Sequence, residues 1–250
     1  MTIRTTLIAS SLIAASLISG TAQAALQGRD LNGSVGSFEA YYDTVLDITW
    51  LADANYAKTS GYDVDGRMTW AAANTWAANL SFYNPFTNQT FADWRLPDVK
   101  PVNGTSFNYS FGFDGSGEVG YNIASPQSEM AHLFYVTLGN PSIYTPSGAP
   151  SGCYVGSGDS CLDNIGPFSN VSSYLYESLI FWSAPEYGLN PSDALFYDMR
   201  FGYQYASNVE NSFRAWAVSP GDVAAVPEAQ TYALMLAGLG LIGWRARRRG

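Results

Sequence analysis

Reactive side chains are scarce in this 250-residue sequence, which has two cysteines and one histidine. So few thiol and imidazole groups nearly exclude the usual nucleophile-base pairs, and neither a G-x-S-x-G elbow nor an H-E-x-x-H helix occurs. Basic residues are few as well. Between Ala25 and Val226, seven Lys or Arg stand against twenty Asp or Glu, a net charge of −13. Such a surface repels nucleic acid, anionic lipid and polyanionic glycans. Long apolar runs are also missing. The run Thr231 to Trp244 has 14 residues, whereas a helix that crosses a bilayer core about 30 Å thick takes about 20.

The two ends are nonetheless informative. Residues 1–24 have a basic start at Arg4, an apolar stretch from Leu7 to Ile18 and the small-residue site Ala22-Gln23-Ala24. This is the pattern of a secretory signal peptide cut after Ala24. The other end, residues 226–250, runs Val226-Pro227-Glu228-Ala229, then the short apolar run 231–244, then Arg245, Arg247, Arg248 and Arg249. It resembles the PEP-CTERM sorting signal, with Ala229 in place of the second proline. The resemblance implies recognition by an exosortase, a membrane-embedded protease, and cleavage near Pro227 and Glu228. It also implies a Gram-negative bacterium that makes extracellular polysaccharide. Positive charge after the helix keeps that end cytoplasmic, so the run acts as a transient transmembrane anchor. In a bacterium the six N-x-S/T triplets, at Asn32, Asn79, Asn88, Asn103, Asn108 and Asn170, reflect composition.

The remaining segment, 25–222, is long enough for one domain with a substantial core. Cys153 and Cys161 lie in a Gly/Ser-rich loop and, in an exported protein, predict one local disulfide. AYYDTVLDITWLAD, Ala40 to Asp53, is dense in aromatic and β-branched residues and predicts one or two strands. Thr69 is placed to cap a helix through Trp70, Ala73, Ala77 and Leu80. A second helix is expected from Ser125-Pro126 to Gly139, with Met130, Leu133, Phe134 and Leu138 on its apolar face and His132 off it as an exposed or hydrogen-bonded histidine. Between the two, Tyr83 to Tyr121 reads as a long polar stretch broken only by Phe91 to Pro97. The runs Ser178–Ser183, Ala194–Met199 and Phe213–Val218 predict neighbouring antiparallel strands. The fold class expected is α+β, with two helices early, strands at both ends and much loop.

Asp47-Ile48-Thr49-Trp50-Leu51, Asp93-Trp94-Arg95-Leu96-Pro97, Ser128 to Phe134, Phe181-Trp182-Ser183 and Ala215-Trp216-Ala217-Val218 resemble the Lcl C-terminal domain family. The resemblance is spread over most of residues 43–220 and implies a C-type lectin-like fold, with two helices, a small twisted antiparallel sheet and long loops. The physical reading of these residues is a buried framework. Trp50, Trp182 and Trp216 are assigned to the core, and Arg95 points inward to pair with Asp47, Asp93 or Glu129. The copper-ligating cysteines of formylglycine-generating enzymes, which share this fold, have no counterpart here. Neither do the Glu-Pro-Asn type calcium loops of sugar-binding C-type lectins; Glu186 to Pro191 is too loose a match. The sulfated polysaccharides bound by the collagen-like adhesin that gives the family its name suit a domain at −13 poorly.

Calcium is the one cofactor the residues suggest, at Asp63 and Asp65 in D-V-D-G and secondarily between Asp114 and Glu118. Alternating carboxylates in a glycine-containing loop begin an oxygen cage, although turn formation explains the same residues. No catalytic residue and no nucleic-acid partner are assigned. The expected function is a non-enzymatic adhesion or glycan-binding module for extracellular polysaccharide, with a neutral glycan as partner. The alternatives are a purely structural matrix component and a secreted carboxylate-dependent hydrolase. Mass spectrometry of exported protein should find a mature N-terminus at Ala25 and no peptide beyond about Glu228; an intact arginine tail would contradict processing.

Overall fold

The computed structural model describes residues 26–34, 36–153, 160–171 and 179–223. In chain order its strands are β1 (Leu26–Arg29), β2 (Ala40–Asp43), β3 (Ile48–Leu51), β4 (Arg67–Met68), β5 (Phe82–Asn84), β6 (Gln89–Phe91), β7 (Gly120–Tyr121), β8 (Ile180–Glu186), β9 (Asp193–Asp198), β10 (Tyr203–Asn208), β11 (Phe213–Arg214) and β12 (Val218–Pro220). The helices are short: α1 (Tyr56–Thr59), α2 (Trp70–Ala78) and α3 (Glu129–His132), which continues into a π-helical turn, Leu133–Thr137. The α+β class holds, with more sheet than expected. A four-stranded sheet runs β1-β2-β3-β12, a six-stranded sheet runs β4-β11-β8-β9-β10-β7, and β5-β6 forms a separate hairpin.

The expected strands within Ala40 to Asp53 are the β2–β3 hairpin. Its turn is built by Asp43, whose Oδ1 accepts the N–H groups of Val45 and Leu46 at 2.9 and 3.1 Å while Asp47 takes a positive φ. The three aromatic runs near the C-terminus pair less simply than expected. β8, β9 and β10 are antiparallel, but β11 lies parallel to β8, with Arg214 opposite Phe181. The run Phe213–Val218 is also split. After β11 the chain leaves the large sheet, buries Ala215, Trp216 and Ala217, and joins the small sheet as β12. A strand that changes sheets links both to one core, which neither periodicity nor composition could reveal.

Trp50, Trp182 and Trp216 are fully buried, as expected. Trp50 and Trp216 meet edge to face at 5.2 Å between ring centroids. Trp182 donates to the Met68 carbonyl and Trp216 to that of Leu51, each at 2.8 Å. In α2, Thr69 Oγ1 accepts the Ala72 N–H as expected, but Trp76 rather than Trp70 fills the core; Trp70 is half-buried and donates to the Ser183 carbonyl.

The second helix begins later than Ser125-Pro126 suggests. Residues 98–100 run against 127–129, with Lys100 N–H donating to Gln127 and Glu129 N–H to Asp98, and this pairing draws the first turn out of the helix. Gly139, at φ 70°, ends it as expected. His132 is not exposed. It is 4 % accessible, and its Nδ1 has no hydrogen-bond partner among the described residues. Burial holds its pKa below the ordinary value, against the nearby Asp43 carboxylate, so the imidazole is neutral and packs as core.

Arg95 finds Glu129. The guanidinium donates through Nη1 and Nη2 to the two carboxylate oxygens, both at 2.7 Å, and Nη1 also reaches the Leu96 carbonyl. Glu129 Oε2 accepts the Asp98 N–H as well, at 2.7 Å. Around this pair the backbone of Arg95 exchanges two hydrogen bonds with Val218, and the Pro97 carbonyl accepts from Ala184. W-R-L-P is therefore a tie between the small sheet, the large sheet and α3. Glu129→Gln should lower unfolding free energy by about 2–3 kcal/mol, because it strands a half-buried guanidinium. Denaturant melts that move by less than about 0.5 kcal/mol, the surface-substitution range, would remove the tie from the account.

Candidate functional site: an aromatic platform at the sheet edge

β7 is the outer strand of the six-stranded sheet, and its Tyr121 pairs directly with Tyr203 of β10. Side chains two apart on a strand share a face, so Tyr203 and Tyr205 stand side by side, their rings stacked 5.8 Å apart. Tyr121 lies 4.9 Å from Tyr203, and Phe113 stacks on Tyr121 with 2° between planes. Phe111 meets Phe113, Tyr121 and Tyr203, and Tyr144 packs edge-on against Phe113 and Tyr121. Phe107 and Tyr109 are stacked, and Tyr187 closes on Tyr109. Phe107, Phe111 and Tyr205 are 40 %, 49 % and 39 % exposed.

The sequence builds this surface with F-N-Y-S-F-G-F, Phe107 to Phe113, in which every second residue is aromatic. Alternation puts those rings on one side of an extended segment. That signal was present in a stretch read only as polar. Two glycines let the segment press against β7. The Gly112 carbonyl accepts the Tyr121 N–H at 3.0 Å, and a Cβ on Gly120 would stand 1.9 Å from the Gly112 oxygen. Asn122 then fastens both sides: its Nδ2 donates to the carbonyls of Phe113 and Tyr144 at 2.7 and 2.8 Å. Glu118, buried, accepts the N–H groups of Val102 and Asn108 and fixes the start of the aromatic segment.

The platform is apolar on its faces and polar at its edges. Among the described residues the hydroxyls of Tyr121, Tyr144, Tyr203 and Tyr205 make no hydrogen bond. Burial, with neighbouring hydroxyls and Asp198 adding to it, pushes Tyr203 up to about 12 and Tyr121 higher still. Both are neutral donors across the physiological range. Beneath them Asp198 lies opposite Tyr203 in the sheet, its pKa raised by burial to about 6 in spite of the Arg200 N–H and guanidinium. A cavity of about 270 Å³ beside Tyr144, walled by Ile143, Pro150 and Gly152, extends the platform toward Cys153.

The residues singled out from sequence lie elsewhere. Cys153 and Cys161 form the disulfide, Cα atoms 5.1 Å apart. Asp63 Oδ1 accepts the N–H groups of Asp65 and Gly66, and Asp65 accepts that of Arg67. Against the upward push of burial, these bonds hold the Asp63 carboxyl below its ordinary range. Asp114 binds Ser116 N–H and Oγ in the same way. These carboxylates serve turns, and among the described residues no three His, Cys, Asp or Glu side chains gather as a metal-ligand group. The signal-peptide positions Ala22 and Ala24, the sorting positions Pro227 and Glu228, and the apolar run 231–244 fall outside the described residues. No helix among the described residues is long and apolar enough to cross a membrane.

Comparison with curated proteins and with solved structures returns no match. Residues 225–249 match the PEP-CTERM protein-sorting motif, in register with the three-part tail read from sequence to within one residue, and this motif marks an exported protein sorted by an exosortase.

Proposed function

We propose that the protein is a non-enzymatic adhesion module that holds a neutral glycan of extracellular polysaccharide on the aromatic platform. The contiguous, partly exposed set of rings centred on Tyr121, Tyr203 and Tyr205 carries this reading. A sugar ring offers a C–H face to an aromatic plane and hydroxyls to its rim, and the free tyrosine hydroxyls meet the second need. Apolar surface of this kind on a soluble domain marks an interaction site. The net charge of −13 favours an uncharged partner over a polyanion.

The fold reading that accompanies it is a C-type lectin-like domain of the Lcl C-terminal kind. Its support is the internal packing of Trp50, Trp182 and Trp216 and the Arg95–Glu129 tie, the residues on which the resemblance rests. The site of action is the cell surface or polysaccharide matrix of a Gram-negative bacterium, reached through exosortase processing and transient anchoring by the C-terminal helix.

Binding of the purified protein to arrays of neutral and charged glycans tests the reading. A neutral glycan should bind saturably, and the double variant Tyr203→Ala, Tyr205→Ala should weaken it about tenfold or more, about 1.4 kcal/mol, without changing the thermal midpoint by more than a few degrees. No saturable ligand on the array would leave the purely structural matrix role, and turnover abolished by a single carboxylate change would make the protein a hydrolase. Because Tyr203 titrates only at about 12, affinity should be flat from about pH 7 to about pH 9, below the ordinary tyrosine range; a steep fall there would mean that an ionised tyrosine, or another group, governs binding.

A further inference from the structure

A second cavity, of about 210 Å³, opens where the start of β2, the end of β3, α1 and the β5–β6 hairpin meet. Phe38, Tyr56 and Phe82 form aromatic walls, Leu51 lies at the base, and Glu39 and Asp53 contribute carboxylates. Tyr56 and Phe82 stand 5.4 Å apart with planes tilted by 44°, giving a V-shaped recess. Phe38 is 52 % exposed and forms part of the rim.

The carboxylates are committed unequally. Glu39 uses both oxygens, Oε1 on Ser37 Oγ and Oε2 on the Leu31 N–H, each at 3.0 Å. Asp53 accepts Asn55 N–H and Asn170 Nδ2 on Oδ1 alone, both at 2.8 Å. Its Oδ2 accepts no hydrogen bond from the described residues. Neither carboxylate has an ion-pair partner among the described residues. Arg214, which Asp53 influences electrostatically, gives its Nη1 to the Asn170 carbonyl instead, at 2.9 Å. Both carboxylates act on the Tyr56 hydroxyl, which burial and these two charges together raise above its ordinary value.

We infer that this cavity is a binding site for an organic ammonium group. A cation held against aromatic faces is attracted by the negative face of each ring, and here two carboxylates that form no ion pair among the described residues add to the attraction. The volume suits a head group and is below that of pockets which enclose a whole drug-sized ligand, about 300 Å³ or more. A divalent metal fits less well, because calcium needs six to eight oxygens and three of the walls are aromatic rings. The site shares no residue with the platform, so either reading can fail alone.

Titration of the full-length protein with choline and with glucosamine, followed by its aromatic NMR signals, tests the inference. Each is paired with a neutral counterpart: the carbon isostere of choline, and N-acetylglucosamine. At least one ammonium ligand should bind saturably, and about tenfold or more tightly than its counterpart; which one binds distinguishes a quaternary head group from an amino sugar. Asp53→Asn keeps the Oδ1 acceptor for Asn55 and Asn170 and should weaken binding by a similar factor, with Glu39→Gln as the second variant. Equal binding of charged and neutral partners, saturation by neither ammonium ligand, unchanged affinity in both variants, or a response of the cavity signals to calcium alone would overturn the site.

Discussion

The fold depends on a bidentate ion pair set between its layers. Arg95 and Glu129 come from a segment with almost no regular structure and from a helix of one turn. Neither could hold its place by its own backbone hydrogen bonds, since isolated short helices are unstable in water. The pair fixes both. Once Glu129 also takes the Asp98 N–H, residues 95–98 become a rigid bar with β12 on one side and β8 on the other. The two sheets share a single core around Trp216, and this bar is hydrogen-bonded to a strand of each. Glu129 is buried and Arg95 half-buried; a pair so placed adds less net stability than apolar packing of the same volume would, yet leaving one member without its partner is costly.

Elsewhere the same economy of regular structure recurs. Loops occupy much of the chain, and side-chain carboxylates and amides act as local acceptors for backbone N–H groups: Asp43 in the β2–β3 turn, Asp63 before β4, Asn84 in the β5–β6 turn, Glu118 beneath the aromatic segment. Asx-type turns of this sort replace hydrogen bonds that helices or strands would otherwise supply. The acidic residues that suggest a cation site on paper, Asp63, Asp65 and Asp114, each turn one oxygen to backbone N–H groups. The carboxylate that retains an unused oxygen beside an aromatic recess is Asp53, which no sequence motif marks.

Much of the framework was legible. The disulfide, the β2–β3 hairpin, the Thr69 cap, the Gly139 stop, the burial of the three tryptophans and the inward turn of Arg95 each rest on local chemistry that neighbours in sequence can express. Three readings failed for one reason, which is tertiary contact. His132 reads as off the apolar stripe of a long helix, but every residue of α3 is buried, so no side of that turn faces solvent. Phe213–Val218 reads as one strand, but Trp216 is drawn between two sheets. The stretch before Tyr121 reads as polar apart from Phe91 to Pro97, although the rings of Phe107 to Phe113 alternate in it; only pairing with β7 turns alternation into a surface.

The sequence by itself determined that this protein is exported and sorted by an exosortase, because a sorting signal is read as a linear segment, here residues 225–249. It also set the acidic charge that narrows the partners. Only the tertiary structure decided which aromatics are core and which are presented. Tryptophans close together in the fold but distant in the chain bury one another, while Tyr121 and Tyr203 stay half-buried against Phe111, Phe113 and Tyr144 and Tyr205 stays exposed. Exposure is a property of what packs against a residue, and that is settled by contacts between segments far apart in the chain.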